Sequence, residues 1–141
     1  MTSGWPADAP GVLTLPSGRR VRGRSLRRPV GEPPTFAVHL RWRALEPSPP
    51  WAVRTVQWPD FLLPLDPADA RDALREAWER AAAERVEVAC PGGVGRTGTG
   101  LAVLAMHDGL SPEDAVAFVR AHHHPRAVET PWQRRWLRSA T

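Results

Sequence analysis

Alternation of apolar and polar residues dominates the first part of the chain. Val12 to Leu15, Arg20 to Arg24 and Phe36 to Leu40 read as short strands, and Ser17-Gly18 supplies a turn that makes a hairpin of the first two. Glu46 to Pro50 is a proline-rich loop, and Ala52 to Gln57 is another strand. Trp58-Pro59-Asp60 and the loop Phe61 to Leu65 follow. The period then changes. Leu74, Ala77, Trp78 and Ala81 recur at helical spacing, which predicts a helix opening at Asp66-Pro67 and running to about Glu84. Asp is a good N-cap, and Pro is favoured at the first helical position.

Val86 to Cys90 is a short, β-branched run placed centrally in a sheet, and Pro91 to Gly95 is a glycine-rich loop. Thr97 to Asp108 is a mostly apolar, buried helix that Gly109 ends. Ser111-Pro112-Glu113-Asp114 combines a cap, a first-turn Pro and two first-turn acids, opening a helix that ends near His122-His123-His124. Thr130-Pro131 caps a last helix carrying Gln133. No repeat and no long linker interrupts the order. The expected fold is α/β: a single domain over residues 1–141 with a central sheet flanked by helices. Residues 1–50 form Arg- and Pro-rich N-terminal strands and residues 51–141 the core.

Composition narrows the class of protein. At 141 residues the chain can bury a core without staples. No apolar run approaches the roughly 18 residues of a membrane helix. Met1 to Pro10 lacks a signal pattern, so a cytoplasmic location is expected. Cys90 is the one cysteine, which excludes disulfides and multi-cysteine metal sites. All 19 basic residues are Arg, and Lys, Asn, Ile and Tyr are absent. Their codons are rich in A and T, so a GC-rich genome accounts for the gap, and the net charge of +4 is discounted as a sign of nucleic-acid binding. Six Arg lie between Arg19 and Arg28. The preferred reading is a solvated edge hairpin whose charges blunt edge pairing, ahead of a basic surface that draws in anions.

The informative stretch is Cys90-Pro91-Gly92-Gly93-Val94-Gly95-Arg96-Thr97-Gly98. A strand leads in and a helix leads out. Such a loop can turn its N–H groups inward as an anion nest, and the following helix points its positive end at the same spot. Arg96 adds a planar fork suited to two phosphate oxygens. The field that attracts a phosphate also favours a thiolate at Cys90, with a further hydrogen bond expected from the Thr97 hydroxyl. A thiolate beneath a bound phosphate is a nucleophile aimed at phosphorus. Two other motifs compete for these glycines. Gly93 to Gly98 matches GxGxxG, but a dinucleotide fold needs a second parallel strand after this helix, where only helices are read. Walker A fails, with Cys90 where its first Gly belongs and Arg96 where its Lys belongs. A plain buried Cys beside a tight turn is the bland alternative.

Cys-x5-Arg followed by Thr-Gly-Thr resembles the signature of the cysteine-based protein tyrosine and dual-specificity phosphatases, and two further segments match. Trp58-Pro59-Asp60 looks like the family's mobile Trp-Pro-Asp loop, and Ala127 to Gln133 like the segment whose glutamine positions water. The resemblance spans residues 58–133 and suits the compact dual-specificity or bacterial branch. It implies that Cys90 attacks phosphorus and forms a cysteinyl-phosphate. Arg96 and the amides of Pro91, Gly92, Gly93, Val94 and Gly95 would hold the phosphoryl oxygens, or a free phosphate or sulfate ion. Asp60 would be general acid and then base, and Gln133 would orient water. No metal or other cofactor is implied. The partners would be a phosphorylated protein or a small phosphomonoester, with no membrane or nucleic acid.

Two departures qualify the resemblance. Ala89 stands where the family usually has His, and no aromatic phosphotyrosine clamp is evident, although Trp42, Trp51 or Trp132 could substitute. Two alternatives follow: a non-catalytic phosphate-binding pseudophosphatase, and an RNA 5′-phosphatase suggested by Arg19 to Arg28. A sulfur-transfer enzyme would leave Trp58-Pro59-Asp60 without a job. The histidine run is expected at a solvated helix end, with His123 or His124 lining the cleft.

Overall fold

The computed structural model describes residues 4–141. The elements run β1 (Val12–Thr14), β2 (Arg20–Ser25), β3 (Phe36–Arg41), β4 (Ala52–Gln57), α1 (Pro67–Arg80), β5 (Val86–Cys90), α2 (Gly95–His107), α3 (Pro112–His122), α4 (Pro131–Trp136) and a closing 3-10 turn, Leu137–Ser139. The sheet order is β1-β2-β5-β3-β4, with β1 antiparallel and every other pairing parallel. The expected α/β fold, hairpin and central β5 are all present. The division at residue 50 separates nothing physically, because β5 is held between β2 and β3 from the N-terminal part.

Period-2 geometry sorts the sheet into two unlike faces. Val86, Val88 and Cys90 share the face on which α1 and α2 pack. There Gly100 of α2 lies so close to Val88, Leu40 and Leu74 that a methyl group would already touch all three. This is the apolar core, completed by Leu101, Leu104, Val116 and Leu137. Each buried Leu or Val side chain contributes about 1.5–3 kcal/mol. Side-chain caps fix the helix starts: Asp66 accepts from the Asp69 N–H, Ser111 from Asp114 and Thr130 from Gln133. Such caps contribute about 1 kcal/mol each.

The opposite face is polar. Glu87 and Ala89 of β5 lie beside Arg22 and Arg24 of β2 and, across β3, Ala37 and His39. This corrects the solvated-edge reading of the arginine run. β1 is the edge; β2 is interior and hydrogen-bonded on both sides. The Glu87 carboxylate is fully buried and takes the Arg22 Nε–H at 2.6 Å and the Arg24 Nε–H at 3.0 Å. Parity turns both guanidiniums inward, and the parallel register with β5 brings the carboxylate opposite them. Trp5 closes this face, donating its indole N–H to the Val86 carbonyl at 2.8 Å beneath the Arg22 guanidinium.

Two helix limits also shift. α1 ends at Arg80 rather than Glu84, where 3-10-type bonds from the Ala82 and Ala83 N–H groups tighten the chain and Arg80 holds Glu84. α2 starts at Gly95 rather than Thr97, which puts Arg96 inside its first turn.

Candidate active site

Three segments meet at the C-terminal end of β5. β5 delivers Cys90, which is 2% exposed, to the floor of a pocket of about 170 Å³. The pocket is lined by Cys90, Gly92, Val94, Gly95 and Arg96 from the cysteine loop, Asp60 and Phe61, Glu129, and Arg27. The loop turns on Gly93, whose φ of +74° suits glycine, and whose Cα packs so closely on the Ser25 backbone that a Cβ would sit 2.6 Å from its nitrogen. That turn aims the Gly93 N–H at the Cys90 sulfur, 3.1 Å away. Its carbonyl is taken by the His123 Nε2 at 2.7 Å. The Gly93 residue is thus fixed at both ends, one on the sulfur and one on His123, the C-cap of α3. Burial lowers the His123 pKa, and because a carbonyl only accepts, the ring carries its proton on Nε2 in this bond.

No side chain caps α2, and its first turn carries no acid. The unpaired first-turn N–H groups and the helix dipole therefore face the pocket beside Cys90, an arrangement that suits an anion. Arg96 is 6% exposed and bridges to the Trp58 segment. Its Nη1 donates to the Trp58 carbonyl at 2.8 Å, and its Nη2 stands 3.5 Å from Asp60 Oδ1. Its Nε is buried with no partner. An orphaned guanidinium donor in such a pocket has the desolvation cost of a polar group awaiting an acceptor, which a phosphoryl oxygen would supply. Trp58 itself is fully buried edge-on to Trp136, with ring centroids 5.4 Å apart. Asp60, by contrast, is exposed, held by the Phe61 N–H at 3.0 Å.

Phe61 follows with φ +60°, a conformation costing on the order of 1–3 kcal/mol for a non-glycine residue. The Trp132 indole N–H donates to its carbonyl at 2.5 Å, and both aromatic side chains are about half exposed, with Phe61 lining the pocket. Trp132 is therefore the one of the three candidate tryptophans tied to the site.

Two expected details differ. The Thr97 hydroxyl makes no bond to the sulfur; it is fully buried without a partner, because α2 has already begun and carries it away from the loop. Gln133, expected to orient water, is fully buried and does not line the pocket. Its Oε1 accepts the Glu129 and Thr130 N–H groups and its Nε2 donates to the Leu62 carbonyl at 3.2 Å. The side chain from that segment that reaches the pocket is Glu129, whose carboxylate lies against Gly95 so closely that no Cβ could fit there. The capping box of Thr130 and Gln133 was visible in the sequence, and it places Glu129 just outside the helix, which was the available signal for this residue.

Ala89 of β5 pairs with His39 of β3, and that ring is fully buried with both nitrogens unpartnered. His123 and His124 line a larger neighbouring cleft and not the pocket that holds Cys90. Among the described residues, no three His, Cys, Asp or Glu side chains converge as metal ligands. No helix of the described residues is long and apolar enough to cross a membrane.

Residues 43–132 match the protein-tyrosine phosphatase family. Among solved structures, the chain is similar to Tk-PTP in its active form, at 26% identity and TM-score 0.71 over 94% of this chain and 97% of that one. It is also similar to human DUSP28, at 22% identity and TM-score 0.59 over 75% and 78% of the two chains. PTPMT1 gives 16% identity and TM-score 0.59 over 75% and 74%. The last two speak for the fold alone. No curated protein sequence matches.

Proposed function

This chain belongs to the protein-tyrosine phosphatase family, and from that membership and the geometry at β5 we propose that it hydrolyses phosphomonoesters through a cysteinyl-phosphate intermediate. One observation carries the reading. Cys90 Sγ lies under the uncapped first turn of α2, with an unpartnered Arg96 Nε and the Asp60 carboxyl converging on the same pocket.

In the first step the Cys90 thiolate attacks phosphorus in line, the S–P bond forms and the P–O ester bond breaks. The loop amides and Arg96 hold the three non-bridging oxygens, so the step depends on positioning and electrostatics. Asp60 gives its proton to the leaving oxygen. In the second step water attacks phosphorus, Asp60 takes its proton, and the thiolate leaves. Glu129 stands at the pocket wall, where it can hold that water. Gln133 acts one step back, fixing the Glu129 backbone and the Leu62 end of the Trp58 loop. The half-exposed Phe61 at the pocket, with Trp132 bonded to it, suits an aryl phosphate, so phosphotyrosine or mixed phosphoproteins are the favoured substrates. Product phosphate, or sulfate, occupies the same loop.

The test is hydrolysis of an aryl phosphate with chelator present. Wild-type turnover that survives chelator and disappears in Cys90→Ser supports the reading; unchanged turnover in that variant refutes it. Asp60→Asn should slow poor leaving groups far more than good ones, and an equal loss across the series removes Asp60 from the role of acid. Ala89 keeps the non-catalytic phosphate-binding reading in view, and it would show as phosphate protection of Cys90 from alkylation without turnover. Of the run that suggested an RNA 5′-phosphatase, Arg22 and Arg24 are committed to Glu87, whereas Arg27 and Arg28 are exposed.

A further inference from the structure

Carbonyls of the cysteine loop are claimed from outside the pocket. The Cys90 carbonyl accepts the Leu26 N–H at 2.9 Å, and the Pro91 carbonyl accepts the Ser25 hydroxyl at 2.7 Å. The Val94 carbonyl accepts the Gly98 N–H and the Gly95 carbonyl the Thr99 hydroxyl, each at 2.8 Å. At mid-loop, the Gly93 carbonyl accepts from His123 Nε2 at 2.7 Å. None of these donors belongs to a residue lining the pocket that holds Cys90. In a trans peptide the N–H points opposite to the C=O. A carbonyl drawn outward therefore turns the next N–H inward, where an oxyanion can take it.

Four of the donors come from α2 itself or from the end of β2, the strand paired with β5, and the turn after it. His123 stands apart as a side chain from the end of α3, 30 residues from the glycine it holds. Ala89, just before the nucleophile, has only a methyl group to offer the loop. The His123 ring is itself held in place. It lies so close to Gly23 of β2 that a Cβ there would stand 2.7 Å from Cε1 and 2.9 Å from Nδ1. With β2 against Nδ1 and the loop against Nε2, the ring spans the gap between them. The residue it braces is also the loop's most pliable point. Gly93 has a φ of +74° and no Cβ, and the residue before it is another glycine, so the peptides around it rotate at low steric cost.

We infer that His123 is a positioning residue of the phosphate-binding loop. Its Nε2–H holds the peptide between Gly93 and Val94 with the carbonyl outward and the Val94 N–H towards the anion. Through Gly93 it also keeps the preceding N–H on the Cys90 sulfur. His123 touches no reacting atom. Its effect is double-edged, because a rotation that took the Val94 N–H from the pocket would bring a carbonyl dipole towards the phosphoryl oxygens. The inference rests on the reading of this loop as a phosphate site.

Four variants separate the donor from the shape of the ring. His123→Gln keeps an N–H at similar reach, His123→Phe keeps a ring without the donor, and His123→Ala loses both. His124→Ala removes the adjacent histidine, which lines the same cleft but accepts from the Arg126 N–H. The readouts are kcat/KM for an aryl phosphate and the concentration of inorganic phosphate that halves the rate of Cys90 alkylation. His123→Phe and His123→Ala should be worse by roughly tenfold in both. His123→Gln should stay within about threefold of wild type and His124→Ala within about twofold. A purely structural role would follow ring volume instead. Phe at the wild-type level, Gln as poor as Ala, or an equal loss in His124→Ala overturns the inference. If the His123 variants do not fold, ring ¹⁵N NMR of the wild type decides: a proton on Nε2 supports the bond, and a proton on Nδ1 overturns it. Should the wild type bind phosphate without turnover, the hydrolysis reading falls alone and phosphate protection still tests His123. Should phosphate give the wild type no protection, both fall.

Discussion

Two arginine sites flank the same strand and behave differently. On the polar face of the sheet, Arg22 and Arg24 place both guanidiniums on Glu87, with Arg22 stacked on Trp5. At the end of β5, Arg96 is equally buried, yet it is only part-satisfied: one nitrogen on the Trp58 carbonyl, one 3.5 Å from Asp60, and the Nε on nothing. A buried cation with its partners inside the fold serves the fold. A buried cation with a donor left over, beside an uncapped helix and a cysteine, serves a ligand. The composition cannot separate the two, because every one of the 19 basic residues is Arg.

The contrast breaks most sharply at Glu87. Glu87→Ala leaves two guanidiniums facing each other without their carboxylate, so it should cost roughly 3–5 kcal/mol by chemical denaturation. A loss below about 1 kcal/mol would mean that water already satisfies the pair. Arg96→Lys is the opposite experiment. It keeps a charge but loses the fork, so kcat/KM for an aryl phosphate should fall about 10²- to 10³-fold with little change in stability. A large stability loss with modest loss of rate would place Arg96 with the structural arginines.

pH sharpens the comparison next. His39 lies on the polar face among Glu87, Arg24 and Arg41, and burial lowers its pKa to about 4 from 6.5, more than Glu87 raises it. The folded protein therefore keeps this ring neutral over a range where the unfolded chain protonates it. Stability should be fully present above pH 6.5 and should fall as the pH drops from 6.5 towards 4, by on the order of 3 kcal/mol. His39→Gln should flatten that part of the profile, and an unchanged slope would remove His39 as its source. The smallest effect belongs to an exposed cluster. Arg54 of β4 reaches Asp69, Asp72 and Glu76 of α1, the Asp72 carboxyl being held below its usual range by that guanidinium. Solvent screens these contacts, so Arg54→Ala should cost less than about 1 kcal/mol and less still in high salt.

Much of this molecule was legible from spacing. The helix caps at Asp66, Ser111 and Thr130 were read correctly because a cap is local: a side chain and an N–H three residues on. The cysteine loop was legible for the same reason, since its glycines, the strand before and the helix after are contiguous. Arg22 was misread because its partner Glu87 lies 65 residues away, and only the parallel register of β2 on β5 brings them together. Gln133 was assigned a place at the water and Glu129 none, because helical position does not say which of two nearby side chains turns inward once Leu62 offers one of them a carbonyl.

By itself, then, the sequence determined the local elements and the chemistry of the Cys90 to Gly98 loop, which are governed by interactions within a few residues. Tertiary structure decided which arginines are spent and which are free. A guanidinium is neutralised only by what the fold brings within about 4 Å of it, and strand order, not sequence distance, sets that.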